Sequence, residues 1–236
     1  MRAQRSEICV LVLAALAVAG TANAQDAQRS QPHSDGFYAG IDVGAIIPEE
    51  MSAQLTGTLA GSGRLSFNAA GAFGGFAGYN FGEHLAAEGE VAWALYDPFK
   101  LSGSFAGPGG AISSLALNGD FNTVLATANA IYRPLGTKAR FAPYLGAGLG
   151  FAWLDWSVTA QPGAAFPLDV RGSAVDLAAD AMAGVDFALC ERLTLGGRYR
   201  FLWIDSSGGR LTGGGVTLTH GDVHAHVLTA TATYRF

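Results

Sequence analysis

Apolar and polar residues alternate along much of this chain with a period of two. The C-terminal stretch, Leu228–Phe236, shows this clearly: every second residue is apolar up to the final phenylalanine, and threonine or arginine occupies the positions between. Side chains of a β-strand point alternately to its two faces, so this period predicts a strand with one apolar face. Because a chain end is usually polar and frayed, the aromatic end predicts a strand that is paired as far as its last residue.

Eight segments follow this alternation, the second and fourth less regularly than the others. They are Phe37–Ile47, Phe67–Phe81, Leu85–Tyr96, Phe121–Tyr132, Phe141–Asp155, Val175–Leu189, Leu193–Trp203 and His224–Phe236. Each segment reaches the roughly 9–11 residues that a tilted strand needs to cross a bilayer.

Short and long connections alternate between these segments. The long ones, residues 48–66, 97–120, 156–174 and 205–223, are rich in glycine and polar. Short periplasmic turns and long outer loops are typical of outer-membrane barrels. The pattern therefore predicts an all-β fold, an eight-stranded antiparallel up-and-down transmembrane β-barrel, with both chain ends on the periplasmic side.

The composition supports strands rather than helices as the membrane-crossing elements. Half of the residues are hydrophobic, 14% are charged and the mean hydropathy is +0.26. The longest apolar run, Ile8–Gly20, is shorter than the roughly 18 residues of a membrane helix. Strands that turn one apolar face to lipid reconcile these properties.

The N-terminus has the features of an export signal. Arg2 and Arg5 precede the apolar run Ile8–Gly20, and Ala22–Ala24 has the small-x-small form of a cleavage site. We predict a signal peptide over residues 1–24, a short polar leader over residues 25–35 and a barrel domain over residues 36–236. A retained N-terminal anchor is disfavoured, because the run is short and a cleavage pattern follows it.

Charge and cysteine content exclude several function classes. The formal net charge is −5 and no basic patch follows the signal peptide, so we expect no nucleic-acid partner. Cleavage would leave Cys190 as the single cysteine, which cannot form an internal disulfide. We interpret Cys190 as a small apolar turn residue and expect no cofactor.

Charged residues on the polar faces of the predicted strands are the principal site candidates. An eight-stranded barrel is narrow enough to be filled by its own side chains, and an unpaired buried charge costs several kcal/mol. We therefore predict an arginine–carboxylate network that plugs the lumen; a gate or narrow ion path is the functional alternative. The predicted members are Asp42, Glu88, Glu90, Asp176, Asp180, Asp186, Arg198, Arg200 and Arg235.

Three other patterns suggest chemistry more weakly. The glycines of Gly146–Gly150 precede a strand rather than a helix, so we interpret them as small lumen residues and not as a phosphate loop. His220, His224 and His226 are weak candidates for a zinc or copper site, and no metal is predicted outright. Ser206, Ser207 and His220 raise the alternative of a lipid-modifying enzyme, but no catalytic motif supports it.

Several stretches resemble the OmpA-like and opacity-type family of small outer-membrane β-barrels. They are Gly36–Ala45, Pro143–Ala152, Ala181–Phe201 and the terminal Tyr234-Arg235-Phe236. The resemblance implies that Phe236, with Tyr234, serves as a sorting signal read by the barrel assembly machinery. We expect no peptidoglycan-binding domain like that of OmpA itself. Tyr79, Phe81, Tyr132, Phe141 and Tyr144 are predicted to join the two C-terminal aromatics in a membrane-boundary girdle.

These observations predict a monomeric integral protein of a Gram-negative outer membrane, in contact with lipid and lipopolysaccharide. The most consistent role is a surface-exposed structural or envelope-integrity protein whose outer loops can contact partners. A small porin that passes ions or solutes is the first alternative, and an outer-membrane lipid-modifying enzyme is the second.

Overall fold

A computed structural model describes residues 35–96, 98–160, 169–206 and 210–236 of the chain as an all-β structure. The predicted signal peptide, residues 1–24, lies outside the described residues, as does the leader up to residue 34. Among the residues described, no helix is long and apolar enough to span a bilayer. The strands are β1 (Gly36–Pro48), β2 (Met51–Gly57), β3 (Ala60–Phe67), β4 (Ala70–Phe81), β5 (Leu85–Tyr96), β6 (Pro98–Gly107), β7 (Gly110–Tyr132), β8 (Phe141–Ala160), β9 (Asp169–Ala188), β10 (Leu193–Ile204), β11 (Arg210–Gly213), β12 (Val216–His220) and β13 (Val223–Arg235).

Antiparallel pairing closes one ring of strands at the end of the short turns. The order is β1, β4, β5, β7, β8, β9, β10 and β13, and β13 pairs back with β1. We call this the turn-end ring. Closure leaves no strand edge unpaired, so the C-terminal strand has a partner on each side, as the alternation up to Phe236 predicted.

A second ring continues the first at the end of the long connections. Here β2, β3, β6, the outer parts of β7, β8 and β9, then β11 and β12 pair in turn, and β12 pairs with β2. We call this the loop-end ring. The all-β barrel is confirmed, but the described residues form thirteen strands rather than the predicted eight. Five short strands prolong the barrel beyond the predicted segments.

The long connections were therefore wrongly interpreted as loops over most of their length. Met51–Gly57 alternates buried and exposed side chains, and Val216–His220 does the same. The buried positions carry Met, Ala, Leu, Val and His, while serine, threonine and glutamine lie between them. The period-two signal was present, but the short strands and abundant glycine obscured it.

The outward face of the barrel changes from apolar to polar at one level. On β8, exposed apolar residues extend from Phe141 to Trp153, and Asp155 continues the same face. On β9, Arg171 is exposed at the loop end and Val175 begins the apolar stretch toward the turns. At ordinary rise and tilt, Phe141–Trp153 covers roughly 30 Å along the barrel axis, which matches the hydrocarbon thickness of a bilayer. The loop-end ring stands beyond this apolar belt.

Candidate functional site: two filled layers of the lumen

The turn-end ring encloses a layer of paired charges centred on Arg198. Its guanidinium donates to Glu90 Oε2 at 2.8 Å and to Tyr144 Oη at 2.9 Å, and it lies 3.0 Å from Glu88 Oε1. The Tyr38 hydroxyl donates to the second oxygen of Glu88 at 3.1 Å. All these side chains are buried, so β1, β5, β8 and β10 are tied together across the lumen.

Arg200 links one of these carboxylates, Glu90, to β9. Its guanidinium donates to Glu90 Oε2 and lies 3.8 Å from Asp180 Oδ2. Asp42, on β1, is also buried. The structure thus brings the two arginines and their partner carboxylates together. Six of the predicted members are buried here: Asp42, Glu88, Glu90, Asp180, Arg198 and Arg200.

A second ion pair closes the layer toward the turns. Arg133 lies 3.7 Å from Asp186 and donates to Asn80 Oδ1 at 3.2 Å. Asp186 was predicted to line the lumen, but Arg133 was assigned to a turn, and its position one residue beyond β7 gave no alternating signal. Asp176 and Arg235, also predicted members, are only half-buried, and Arg235 donates to the Thr137 carbonyl at 3.2 Å.

Glycines make room for the large side chains of this layer. Tyr144 is buried, so its predicted place in the aromatic girdle was wrong. A β-carbon at Gly184, its partner on β9, would overlap the Tyr144 hydroxyl. Gly148 similarly lies under Asn129, which agrees with the interpretation of these glycines as small lumen residues.

The loop-end ring encloses a layer of apolar side chains. Trp156 is 2% exposed and its ring centroid lies 3.6 Å from that of Phe121. Leu55, Leu65 and Leu218, from three short strands, are 1% exposed or less. These residues belong to one continuous cluster that extends down to Leu125 and Leu202 in the turn-end ring. The lumen is thus filled by charged groups in the turn-end ring and by apolar groups in the loop-end ring.

Two of the three candidate histidines lie on the outer surface. His226 Nε2 is 3.0 Å from Glu49 Oε1, its Nδ1 is 2.8 Å from the Tyr199 hydroxyl, and His224 Nδ1 is 4.0 Å from Glu49 Oε2. His220 instead faces inward and packs on Trp156 at a centroid distance of 4.8 Å. In the part of the chain that the structure describes, no cluster of three or more His, Cys, Asp or Glu side chains is arranged to hold a metal ion.

Ser206 and His220, the candidates for an enzyme, lie near each other in the loop-end half of the lumen. Both face the Asp176 carboxylate, and Ser206 is 1% exposed. His220 Nδ1 lies 3.1 Å from the Gly221 carbonyl, so this nitrogen is not oriented by a carboxylate. Burial lowers the pKa of His220 below its usual range. Ser207 lies outside the described residues.

The C-terminal aromatics lie on the lipid-facing side of the belt. Phe236 is 62% exposed, and its backbone nitrogen donates to the Phe37 carbonyl at 3.0 Å. Tyr234 packs edge-on against Phe236 and accepts a hydrogen bond from Arg192 at 3.2 Å. Cys190 is free and exposed in the connection between β9 and β10. The last strand therefore presents two aromatic side chains at the turn end of the barrel.

A closed β-sheet with an apolar outer belt and a filled interior defines an integral β-barrel protein of the bacterial outer membrane. The chain belongs to the family of outer membrane protein beta-barrel domains, whose model matches residues 11–236. The predicted family and outer-membrane location are confirmed.

Solved structures of other outer-membrane proteins are similar to this chain, and the two with a TM-score above 0.5 share its fold. The outer membrane protein OprG from Pseudomonas aeruginosa is 14% identical with a TM-score of 0.52, covering 86% of this chain and 97% of its own. The outer membrane protease OmpT from Escherichia coli is 9% identical with a TM-score of 0.51, covering 89% and 99%. Neisserial surface protein A, NspA, is 20% identical with a TM-score of 0.45, covering 85% and 97%. No protein with a curated functional description matches the chain.

Proposed function

We propose that this protein is a structural protein of the outer-membrane surface whose lumen is closed to ions and solutes. One observation carries the proposal: the buried apolar cluster around Trp156, Phe121 and Leu218 fills the loop-end half of the barrel. An ion that entered from the outside would lose its hydration among the apolar side chains of this cluster, which is strongly unfavourable. The charged layer around Arg198 forms a second barrier below it.

In this role the turn-end ring crosses the membrane with eight strands, and the loop-end ring projects into the medium. Most of its outward side chains are polar, with exposed ion pairs such as Arg64–Glu50 at 3.4 Å. Strand pairing already holds this surface in one conformation. Binding of a partner to it therefore costs little conformational entropy in the loop-end ring. The exposed surface is then suited to contacts with other envelope or extracellular components.

The proposal extends to the contacts made by the lipid-facing side. The barrel acts as a monomer in phospholipid and lipopolysaccharide, and the exposed Phe236 and Tyr234 are presented to the barrel assembly machinery during insertion. Enzymatic activity is not part of the proposed role. Ser206 is buried, and His220 lacks an orienting carboxylate at Nδ1; this arrangement does not favour a serine nucleophile.

Single-channel recording in a planar lipid bilayer tests the closed lumen. The wild-type barrel should show no conductance steps, and neither Trp156→Ala nor Arg200→Ala alone should open it, because each leaves one layer intact. The double variant should conduct. Reproducible steps from the wild type that shift with Arg200→Ala would instead support the small porin.

A further inference from the structure

Five carboxylates and three guanidinium groups are buried among the described residues of the lumen. The carboxylates belong to Asp42, Glu88, Glu90, Asp180 and Asp186, and the guanidinium groups to Arg133, Arg198 and Arg200. Arg133 pairs with Asp186, Arg198 pairs with Glu88, and Arg198 and Arg200 share Glu90. Asp180 has only the distant Nε of Arg200, at 3.8 Å, and neither of its oxygens makes a hydrogen bond. A buried negative charge thus lacks close compensation.

Asn129 provides an independent observation at the same place. It is a neutral side chain, 4% exposed, and neither its amide oxygen nor its amide nitrogen has a hydrogen-bond partner. Leaving such a buried amide unsatisfied costs about 1–3 kcal/mol. Asn129 on β7 and Asp180 on β9 flank Gly148 on β8 in register.

Gly148, which has no side chain, leaves the space in which an Asn129 oxygen and an Asp180 oxygen meet. A β-carbon at this position would overlap Asn129 Oδ1 and lie 3.1 Å from Asp180 Oδ2. The neighbouring pair on the same face, Thr127 and Glu90, adds two more buried oxygen atoms without hydrogen-bond partners, Oγ1 and Oε1. The wall of the lumen here carries carboxylate, amide and hydroxyl oxygens at neighbouring positions, and those of Asp180 and Asn129 meet above Gly148.

We propose that this space binds a hard cation through Asp180 and Asn129 above Gly148, with Thr127 and Glu90 beside them. Oxygen ligands of mixed carboxylate, amide-carbonyl and hydroxyl type suit calcium, which accepts six to eight such ligands with flexible geometry. Sodium prefers the same donor atoms at similar distances and is the second cation of this chemistry. The bound cation compensates the charge of Asp180 and links β7 to β9 across β8.

Calcium binding by the folded, full-length barrel tests the proposal directly. After the protein is washed with a chelator, equilibrium dialysis with radioactive calcium should find one ion per barrel. Calcium should also raise the melting temperature by about 5 °C or more relative to choline chloride of equal ionic strength. A rise with sodium chloride but not with calcium would assign the site to the monovalent ion.

Variants separate a specific site from general charge effects. Asp180→Asn should abolish binding, and Asn129→Asp should tighten it about tenfold, because an added carboxylate ligand raises calcium affinity. The control variant Glu50→Gln, at an exposed position, should bind calcium like the wild type. If Asp180→Asn does not fold, Asn129→Val, which removes both polar atoms, takes its place.

Two results would overturn the proposal. One is a folded wild-type barrel that binds neither cation and whose melting temperature changes with pH alone, which would mean that protons compensate Asp180. The other is calcium binding that persists unchanged in Asp180→Asn and Asn129→Val.

Discussion

Replacement of Arg198 by alanine should destabilise the folded barrel more than any surface change. The variant removes ion pairs to Glu88 and Glu90, at 3.0 and 2.8 Å, and the hydrogen bond to Tyr144. It also removes a guanidinium that lies 4.8 Å from the ring centroid of Phe76. Glu90 retains Arg200, but Glu88 keeps only the Tyr38 hydroxyl. Breaking a buried ion pair from one side costs about 3–5 kcal/mol, and we expect a loss in that range.

Urea unfolding of the barrel refolded in lipid vesicles measures this loss. Arg64→Ala is the matched control, because its ion pair with Glu50 is exposed and should contribute at most about 1 kcal/mol. Arg198→Met combined with Glu88→Gln should recover part of the stability, since Glu88 is then no longer left as an unpaired charge. If Arg198→Ala unfolds at the same urea concentration as Arg64→Ala, the charged layer does not stabilise the barrel and the reasoning fails.

Three further predictions address the lipid-facing surface, the loop-end ring and assembly. Leu149→Arg, at an exposed position of the apolar belt, should cost about 2–4 kcal/mol of stability in vesicles. Thr159→Arg, beyond the belt, should cost little, and equal losses would contradict the assigned membrane boundary. Because burial lowers the pKa of His220, the unfolded state binds more protons. This contribution to stability is therefore present above the ordinary histidine pKa and lost as the pH falls through it. His220→Gln should weaken the pH dependence of the unfolding free energy, measured with urea between about pH 8 and 5. An unchanged pH dependence would contradict the role assigned to His220. Deletion of Phe236 should reduce heat-modifiable barrel in the outer-membrane fraction, and normal levels would refute its sorting role.

The alternation of apolar and polar residues was sufficient to predict the membrane-crossing strands and the inward face of most charged residues. Lipid and lumen impose opposite requirements on the two faces of a strand, so every second residue is selected for one environment. Glu88 and Glu90 on β5 and Arg198 and Arg200 on β10 could be assigned to the lumen for this reason. The same reasoning failed for Tyr144, because an aromatic ring suits both the membrane boundary and a space above glycine.

The sequence by itself determined that this chain forms strands with one lipid-facing side, and which end carries the short turns. Only the tertiary structure decided that the long connections continue the barrel, because strands as short as β2 and β12 form when neighbouring hairpins supply hydrogen bonds and buried area. The tertiary structure also decided which charged side chains contact each other. Arg198 and Glu88 are distant along the chain, and Arg133 lies just beyond a strand end. Such contacts depend on barrel closure and on the stagger of its strands, which a period of two along one strand does not contain.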